Sequence, residues 1–431
     1  MKKLQIIACV AFAGALLACQ KADNPYADAP WAIDETLPVP IQFGSDGVPF
    51  YMETKGAPIQ SLTNLSAAGN LVQIYGVDED ANSLLFKEGS AISAPARVKS
   101  DGSVVFVDEN GTDISRYYPM SSSADAARNN YSFVGYRISE STLPGNDHLV
   151  RFKISPNWDG SIDRNIDVLY ARDDAETIQD DQSNDIPGFN GKYIRQARLN
   201  GVLDARRPKL DFTHLTSLAH IYVKAEAGAL SGDERYTYLD GTETKPIFTV
   251  KNVKIAVKRG QAELNLLTGK ISYYSESSPV WSTLFAYDAF ADGKADASYG
   301  VDVTAGSSAE YGTGFFLLPG LRDAYDSGLK DQPEMQFVLY NNQDGTSKTF
   351  KTVLPLPVYT HYEPVYNPAT GEMEQEATGD SELRGYVAGR QYNYNIVVKS
   401  AVEVVMTATV AGYTNGEFPG GGASTDAFTL D

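Results

Sequence analysis

YSFVGYRISESTLPGND, residues 131–147, opens with a run of Tyr, Phe, Val and Ile and passes into Ser, Pro, Gly, Asn and Asp. The first half has the length and composition of a β-strand, and the second half reads as a turn. The same alternation recurs outward from this stretch. LVQIYGV runs into DEDANS, and SVVFV into DENGTD. The second half of the chain carries FTVKNVKIAVK, AELNLLTGKISYY, GTGFFLLPG, MQFVLYNN, KTFKTVLPL, YNYNIVVK and VEVVMTATV. Strand-length runs punctuated this way predict hairpins and sandwiches. A sustained helical period is missing, although ADAARNN and LRDAYDSGLK each suit a turn or two of helix. No repeat of fixed period argues for a solenoid or propeller. The expected fold class is all-β with minor helices, arranged as two tandem β-sandwich-like domains.

The chain has 431 residues, long enough for two domains of ordinary size. VLDARRP, at 202–208, joins a basic cluster to a proline and suggests a division there. The resulting parse is a signal segment 1–18, a polar tether 19–38, an N-terminal strand segment 39–55, a β domain 56–205, a second β domain 206–414 and a Gly-rich tail 415–431. Within the tail, Phe428 and Leu430 would share one face of a short strand.

Acidic residues outnumber basic ones by 55 to 36, giving a net charge of −19 that repels phosphate, so no nucleic-acid partner is expected. The N-terminus pairs a basic Met1-Lys2-Lys3 with an apolar run of 14 residues, Leu4 to Leu17. Such a run is too short to span a bilayer and suits the core of a signal peptide. It ends Leu16-Leu17-Ala18-Cys19, which resembles a bacterial lipobox. That resemblance implies cleavage between Ala18 and Cys19, diacylation (palmitate-type) of Cys19 and delivery to the outer membrane. Cys9 would be discarded with the signal, leaving a single thiol and no disulfide framework.

Chemistry-bearing motifs are sparse. His214 and His220 are six apart, a spacing that places two rings on one face of neither a strand nor a helix. They read as a structural, hydrogen-bonded pair near the core. The run from Asp78 to Asn82 mimics a calcium loop, but Ser83 stands where the turn needs Gly and Gly89 where a ligand needs Glu. The acidic stretch Asp173, Asp174, Glu176, Asp180, Asp181 and Asp185 reads as a solvated loop. Nucleophile elbow, phosphate loop and zinc-helix signatures are missing as well. No catalytic residue, metal or cofactor is expected, and the chain does not read as an enzyme.

The order of elements resembles the fimbrillins of type V pili, surface lipoproteins of Gram-negative anaerobes. The likeness rests on the lipobox, VPIQF followed by Thr54-Lys55-Gly56-Ala57, IYGVDED, RYYPMSSSADAARNNYSFVGYRI, IDVLYA, LDFTHLTSLAHIYVK, GTGFFLLPG and GYVAGRQYNYNIVV with a final strand. It implies transthyretin-like sandwiches and a cell-adhesion role in a fimbrium. It further implies a surface protease of Arg or Lys specificity that cuts between Lys55 and Gly56. Removal of the first strand would then open a groove for a strand of another subunit, the physics of strand addition to an open sheet edge. Val39, Ile41 and Phe43 alternate with Pro40 and Gln42, as a displaceable strand needs. Val402, Val404, Met406, Ala408 and Val410 would form the apolar face of a donor strand. FPGGGAST after residue 417 departs from the family pattern and points to an accessory or tip subunit. The competing reading is a surface lipoprotein that binds glycans through aromatic platforms without polymerising, supplied by 26 Tyr and 3 Trp.

Overall fold

The computed structural model describes residues 28–44, 71–78, 94–99, 103–119, 130–138, 148–153, 168–173, 188–257, 261–274, 280–283, 299–312, 314–317, 333–354, 358–367, 372–382, 386, 388–412 and 428–430. The fold is all-β with short helices, as expected: α1 (Pro30–Ile33), α2 (Gly191–Leu199) and α3 (Leu203–Arg206) are its helices among the described residues. None of them is long and apolar enough to cross a membrane. ADAARNN, apart from its last residue, and LRDAYDSGLK lie outside the described residues.

The strands of the first half are β1 (Leu71–Asp78), β2 (Ala94–Val98), β3 (Val104–Phe106), β4 (Tyr131–Arg137), β5 (Leu149–Lys153), β6 (Leu169–Arg172) and β7 (Thr213–His214). All but β5 form one sheet in the order β3-β2-β1-β4-β6-β7. Strand β4, the quoted YSFVGYR, is central and buried on both faces. Tyr131 and Phe133 point into one core, and Val134 and Tyr136 into another. Gly135 between them has no room for a side chain, since a Cβ there would meet the Phe212 ring at 2.7 Å.

The second half continues with β8 (Ser217–Ala225), β9 (Thr237–Asp240), β10 (Glu243–Pro246), β11 (Phe248–Val257), β12 (Gln261–Asn265), β13 (Ile271–Tyr274), β14 (Val280–Thr283), β15 (Gly300–Asp302) and β16 (Ser308–Glu310). It ends with β17 (Phe315–Leu317), β18 (Glu334–Asn341), β19 (Ser347–Val353), β20 (Val358–Asn367), β21 (Glu372–Glu382), β22 (Arg390–Val398), β23 (Val404–Gly412) and β24 (Phe428–Leu430). Two sheets face each other here. One has the order β14-β11-β18-β19, and the other β16-β8-β22-β23-β24. Ile221 and Val223 of β8 and Tyr394 and Ile396 of β22 meet Val250, Phe337 and Phe350 of the facing sheet in a single core. Strands β8 and β22 run parallel, unlike the antiparallel pairs around them. In β11 the register shifts between Lys251 and Lys254, where the strand changes partner from β15 to β14. Asn252 takes the left-handed conformation at this bulge, with φ of 51°.

The two sandwiches do not divide at one point in the sequence. The division expected at residues 205/206 falls inside α3, and Leu203, Leu210 and Phe212 still pack in the first sandwich. The hairpin β12–β13 comes from the second half yet pairs with β5, from Gln261 opposite Lys153 to Asn265 opposite Leu149. It covers the second face of the six-stranded sheet, where Ala262, Leu264, Val150 and Phe152 pack on Tyr75, Val134 and Tyr136. The Tyr170 hydroxyl donates to the Leu266 carbonyl at 2.9 Å and fastens the hairpin to β6. Gly269 turns the hairpin with φ of 66° and lets the Tyr170 ring approach to 2.7 Å of where a Cβ would stand.

Candidate assembly sites

The opposite face of the six-stranded sheet is closed by the chain's N-terminal segment. Val39, Ile41 and Phe43 are buried there, while Gln42 is exposed, so the alternation in VPIQF places its apolar side chains inward. Phe43 sits edge-on to Phe133 at 5.0 Å and to Phe106 at 5.7 Å between ring centres. The backbone makes isolated bridges instead of a ladder, at Pro40 with Tyr117, Phe43 with Val104 and Gly44 with Lys209. The Ile41 N–H donates to the Arg116 carbonyl at 2.8 Å, and the Tyr118 N–H to the Val39 carbonyl at 3.0 Å. On the other side, Gly44 and Leu210 contribute one N–H each, to the carbonyls of Pro208 and Gly44. Pro40 has no N–H to give, which suits a strand outside a regular ladder.

Magnitudes decide what holds this segment. Burying each of the three side chains is worth about 1.5–3 kcal/mol as an upper estimate. Each backbone hydrogen bond contributes a net of about 0.5–1.5 kcal/mol. The segment is therefore a row of apolar plugs with light backbone pinning. Tyr118 lies beneath it, and burial, reinforced by the Asp173 charge, pushes its phenol well above the ordinary range.

Helix α2 grips the part of the segment that precedes the plugs. Asn190 caps it by accepting from the Tyr193 N–H at 2.8 Å. Gly201, with φ of 73°, ends it in a Schellman turn in which the Val202 N–H reaches the Ala197 carbonyl at 2.9 Å. Ile194 and Ala197 face the core. Arg195 and Arg198, three apart, lie on another face. The Arg195 guanidinium donates to the carbonyls of Trp31, of Asp34 at 2.6 Å and of Leu37 at 3.0 Å. Arg198 adds an ion pair to Asp28 at 2.9 Å. The Asp34 carboxyl is held below its usual range by hydrogen bonds from the Thr36 hydroxyl and N–H, with the Arg195 charge nearby. The sequence reading overlooked α2; Asn190, the Ile194–Ala197 spacing and Asn200-Gly201 are the signals that mark it.

The second candidate region is the C-terminal strand pair. Strand β23 pairs with β22 from Val404 opposite Val398 to Gly412 opposite Arg390. On its other side, β24 pairs Leu430 with Val404 and Phe428 with Met406. Val404, Met406 and Ala408 are buried, and Val410 lies in the strand opposite Tyr392. Val402 does not join that face: it is 67% exposed and precedes the strand. The chain is still turning there, with the N–H groups of Lys399 and Ser400 both donating to the Glu403 carbonyl.

Ala18, Cys19, Lys55 and Gly56 lie outside the described residues, as does most of the acidic stretch after residue 173. Asp173 itself departs from the solvated-loop expectation. It is buried, and it accepts from the Phe133 N–H at 2.6 Å and the Ser132 hydroxyl at 3.2 Å. His214 and His220 sit in different sheets, and His220 pairs with Glu310 at 2.5 Å. Among the described residues no group of three or more His, Cys, Asp or Glu is placed to hold a metal ion. Tyr75, Tyr136, Tyr236, Tyr311, Tyr392 and Tyr394 are fully buried, so these rings serve the cores and offer no outward platform.

No family model matches the chain, and no curated protein does. Among solved structures, one from Bacteroides uniformis, described as a candidate cell adhesion protein, aligns over 88% of this chain and 100% of its own at 16% identity and a TM-score of 0.44. Another from Bacteroides ovatus, described in the same way, aligns over 87% and 96% at 16% identity and a TM-score of 0.36. A tip fimbrial protein of Porphyromonas gingivalis with a C-terminal truncation aligns over 87% and 100% at 9% identity and a TM-score of 0.33. Similarity at this level carries no argument about this chain, whose role is read from its own residues.

Proposed function

We propose that this chain is a subunit of a cell-surface fimbria, structural or accessory, that contributes to adhesion and assembles by strand exchange. In this reading it is exported as a lipoprotein acylated at Cys19 and carried to the outer membrane surface. A protease of Lys or Arg specificity cuts between Lys55 and Gly56, and residues up to the cut then leave. The carrying observation is the seat of residues 39–44: three buried apolar side chains on a backbone that makes isolated bridges. Taking that segment away would expose Phe106, Phe133 and Leu210 and free the partners at 116–118 and 208–210. An apolar strand from a second subunit supplies what is then missing.

The donor in this reading comes from the C-terminal pair β23–β24, the putting-forward of Val404, Met406, Ala408 and Val410 requiring β23 to leave a nine-residue ladder with β22. Detaching β24 breaks the shorter pairing, from Phe428 to Leu430, and so costs least. The test is N-terminal sequencing of surface material together with Lys55→Ala. A mature start at Gly56, and a variant that is exported normally but forms no fibres, are the expected results. Normal fibres from Lys55→Ala would overturn the processing step and leave residues 39–55 as a permanent part of the fold.

A further inference from the structure

Arg195 reaches the N-terminal segment at a place that the plugs do not touch. Its guanidinium spans three carbonyls, those of Trp31, Asp34 and Leu37, all in α1 and the turn that follows it. The Asp34 carbonyl also accepts from the Leu37 N–H at 3.2 Å, and a planar cation answers it together with the other two at once. Ala29 and Ala32 are buried, and Trp31 packs on the core edge. The grip therefore acts on residues 31–37, whereas an incoming strand competes only for the seat of Val39, Ile41 and Phe43.

We propose that Arg195 is a positioning residue that latches the N-terminal segment after the chain is cut, so that a cut subunit stays closed until a second strand displaces the plugs. This rests on the strand-exchange reading above and adds its control step. Cutting downstream severs one covalent link and leaves every contact of residues 28–44 in place. Release then has two parts, the plugs by competition and α1 by letting go of Arg195. The arrangement keeps the apolar groove covered during the interval between cutting and assembly, when an empty groove would promote aggregation.

The test uses the full chain with the recognition sequence of a site-specific protease inserted after Lys55. After cutting, the N-terminal fragment is followed by size exclusion and mass spectrometry, with and without excess synthetic peptide of residues 28–44. The expected result is co-elution of fragment and body in the parent. Fragment exchange should be faster by about tenfold or more in Arg195→Ala, consistent with the loss of charge-assisted hydrogen bonds. Arg195→Lys should fall between, because the three N–H groups of an ammonium diverge from one nitrogen and do not reproduce the reach of a planar fork that spreads its donors over two. Arg198→Ala, which removes an exposed ion pair, should exchange like the parent. Circular dichroism and melting of the uncut variants establish that each is folded; if Arg195→Ala is not, the Arg195→Lys rate decides. Equal rates in the parent and the Arg195 variants would overturn the latch. Arg195-dependent retention in cut chains that never form fibres would uphold the latch and overturn the assembly reading instead.

Discussion

The two ends of the chain complete their sandwiches in opposite ways. Residues 39–44 enter the first sandwich by side chains, with bridges on either side and a proline in the middle. Strand β23 enters the second by backbone, zipped along its length to β22. Both ends are apolar on one face, yet the first can be withdrawn by replacing a few side chains and the second only by breaking a ladder. Apolar alternation makes a strand suitable for burial; the pairing around it decides whether it is removable.

The largest effect that separates the two modes is expected from Phe43→Ala. The deletion leaves a cavity between Phe106 and Phe133 and should cost about 3–5 kcal/mol, measured by denaturant unfolding of the uncut chain. A cost below about 1 kcal/mol would mean that the plugs do not hold the segment. The ladder end offers a paired comparison. Val404→Ala, at a fully buried position, should cost about 1.5–3 kcal/mol. Val402→Ala, two residues earlier on the exposed turn, should stay within about 0.5 kcal/mol. Equal costs would return Val402 to the buried face from which the structure removes it.

A further effect concerns the hairpin borrowed by the first sandwich. Burial pushes the Tyr170 phenol from its ordinary value of 10.0 up to about 12, against the opposing pull of Arg172. The folded state thus favours the neutral phenol. Its contribution is fully present below pH 10 and is lost as pH rises through about 12. Unfolding midpoints measured across that window should fall, and Tyr170→Phe should flatten part of the fall while losing about 1 kcal/mol at neutral pH with the bond to Leu266. An unchanged alkaline profile in the variant would show that Tyr170 does not carry this dependence.

Much of the fold was legible because strand composition and turn residues are local. YSFVGYR is a central strand, and Val39, Ile41 and Phe43 point inward as their alternation suggests. Val402 misled because alternation does not say where a turn ends; Ser400, whose hydroxyl accepts from the Glu403 N–H at 3.1 Å, is the residue that sets the boundary. Asp173 misled because its neighbours in sequence are acidic while its partners, Ser132 and Phe133, are distant along the chain. The grip of Arg195 on residues 31–37 is equally non-local. The return of β12–β13 to the first half cannot be seen in periodicity, since a hairpin carries no mark of which sheet it joins.

That returning hairpin also imposes an order in time. A chain made N-terminus first presents β5 without its partner strand, because β12 follows only after β8 and β11 have emerged. The first sandwich is finished last on one face, after part of the second already exists. Completeness of the chain is thereby written into the connectivity: a chain truncated before residue 261 cannot cover Val150 and Phe152 with this hairpin and leaves part of its first core exposed.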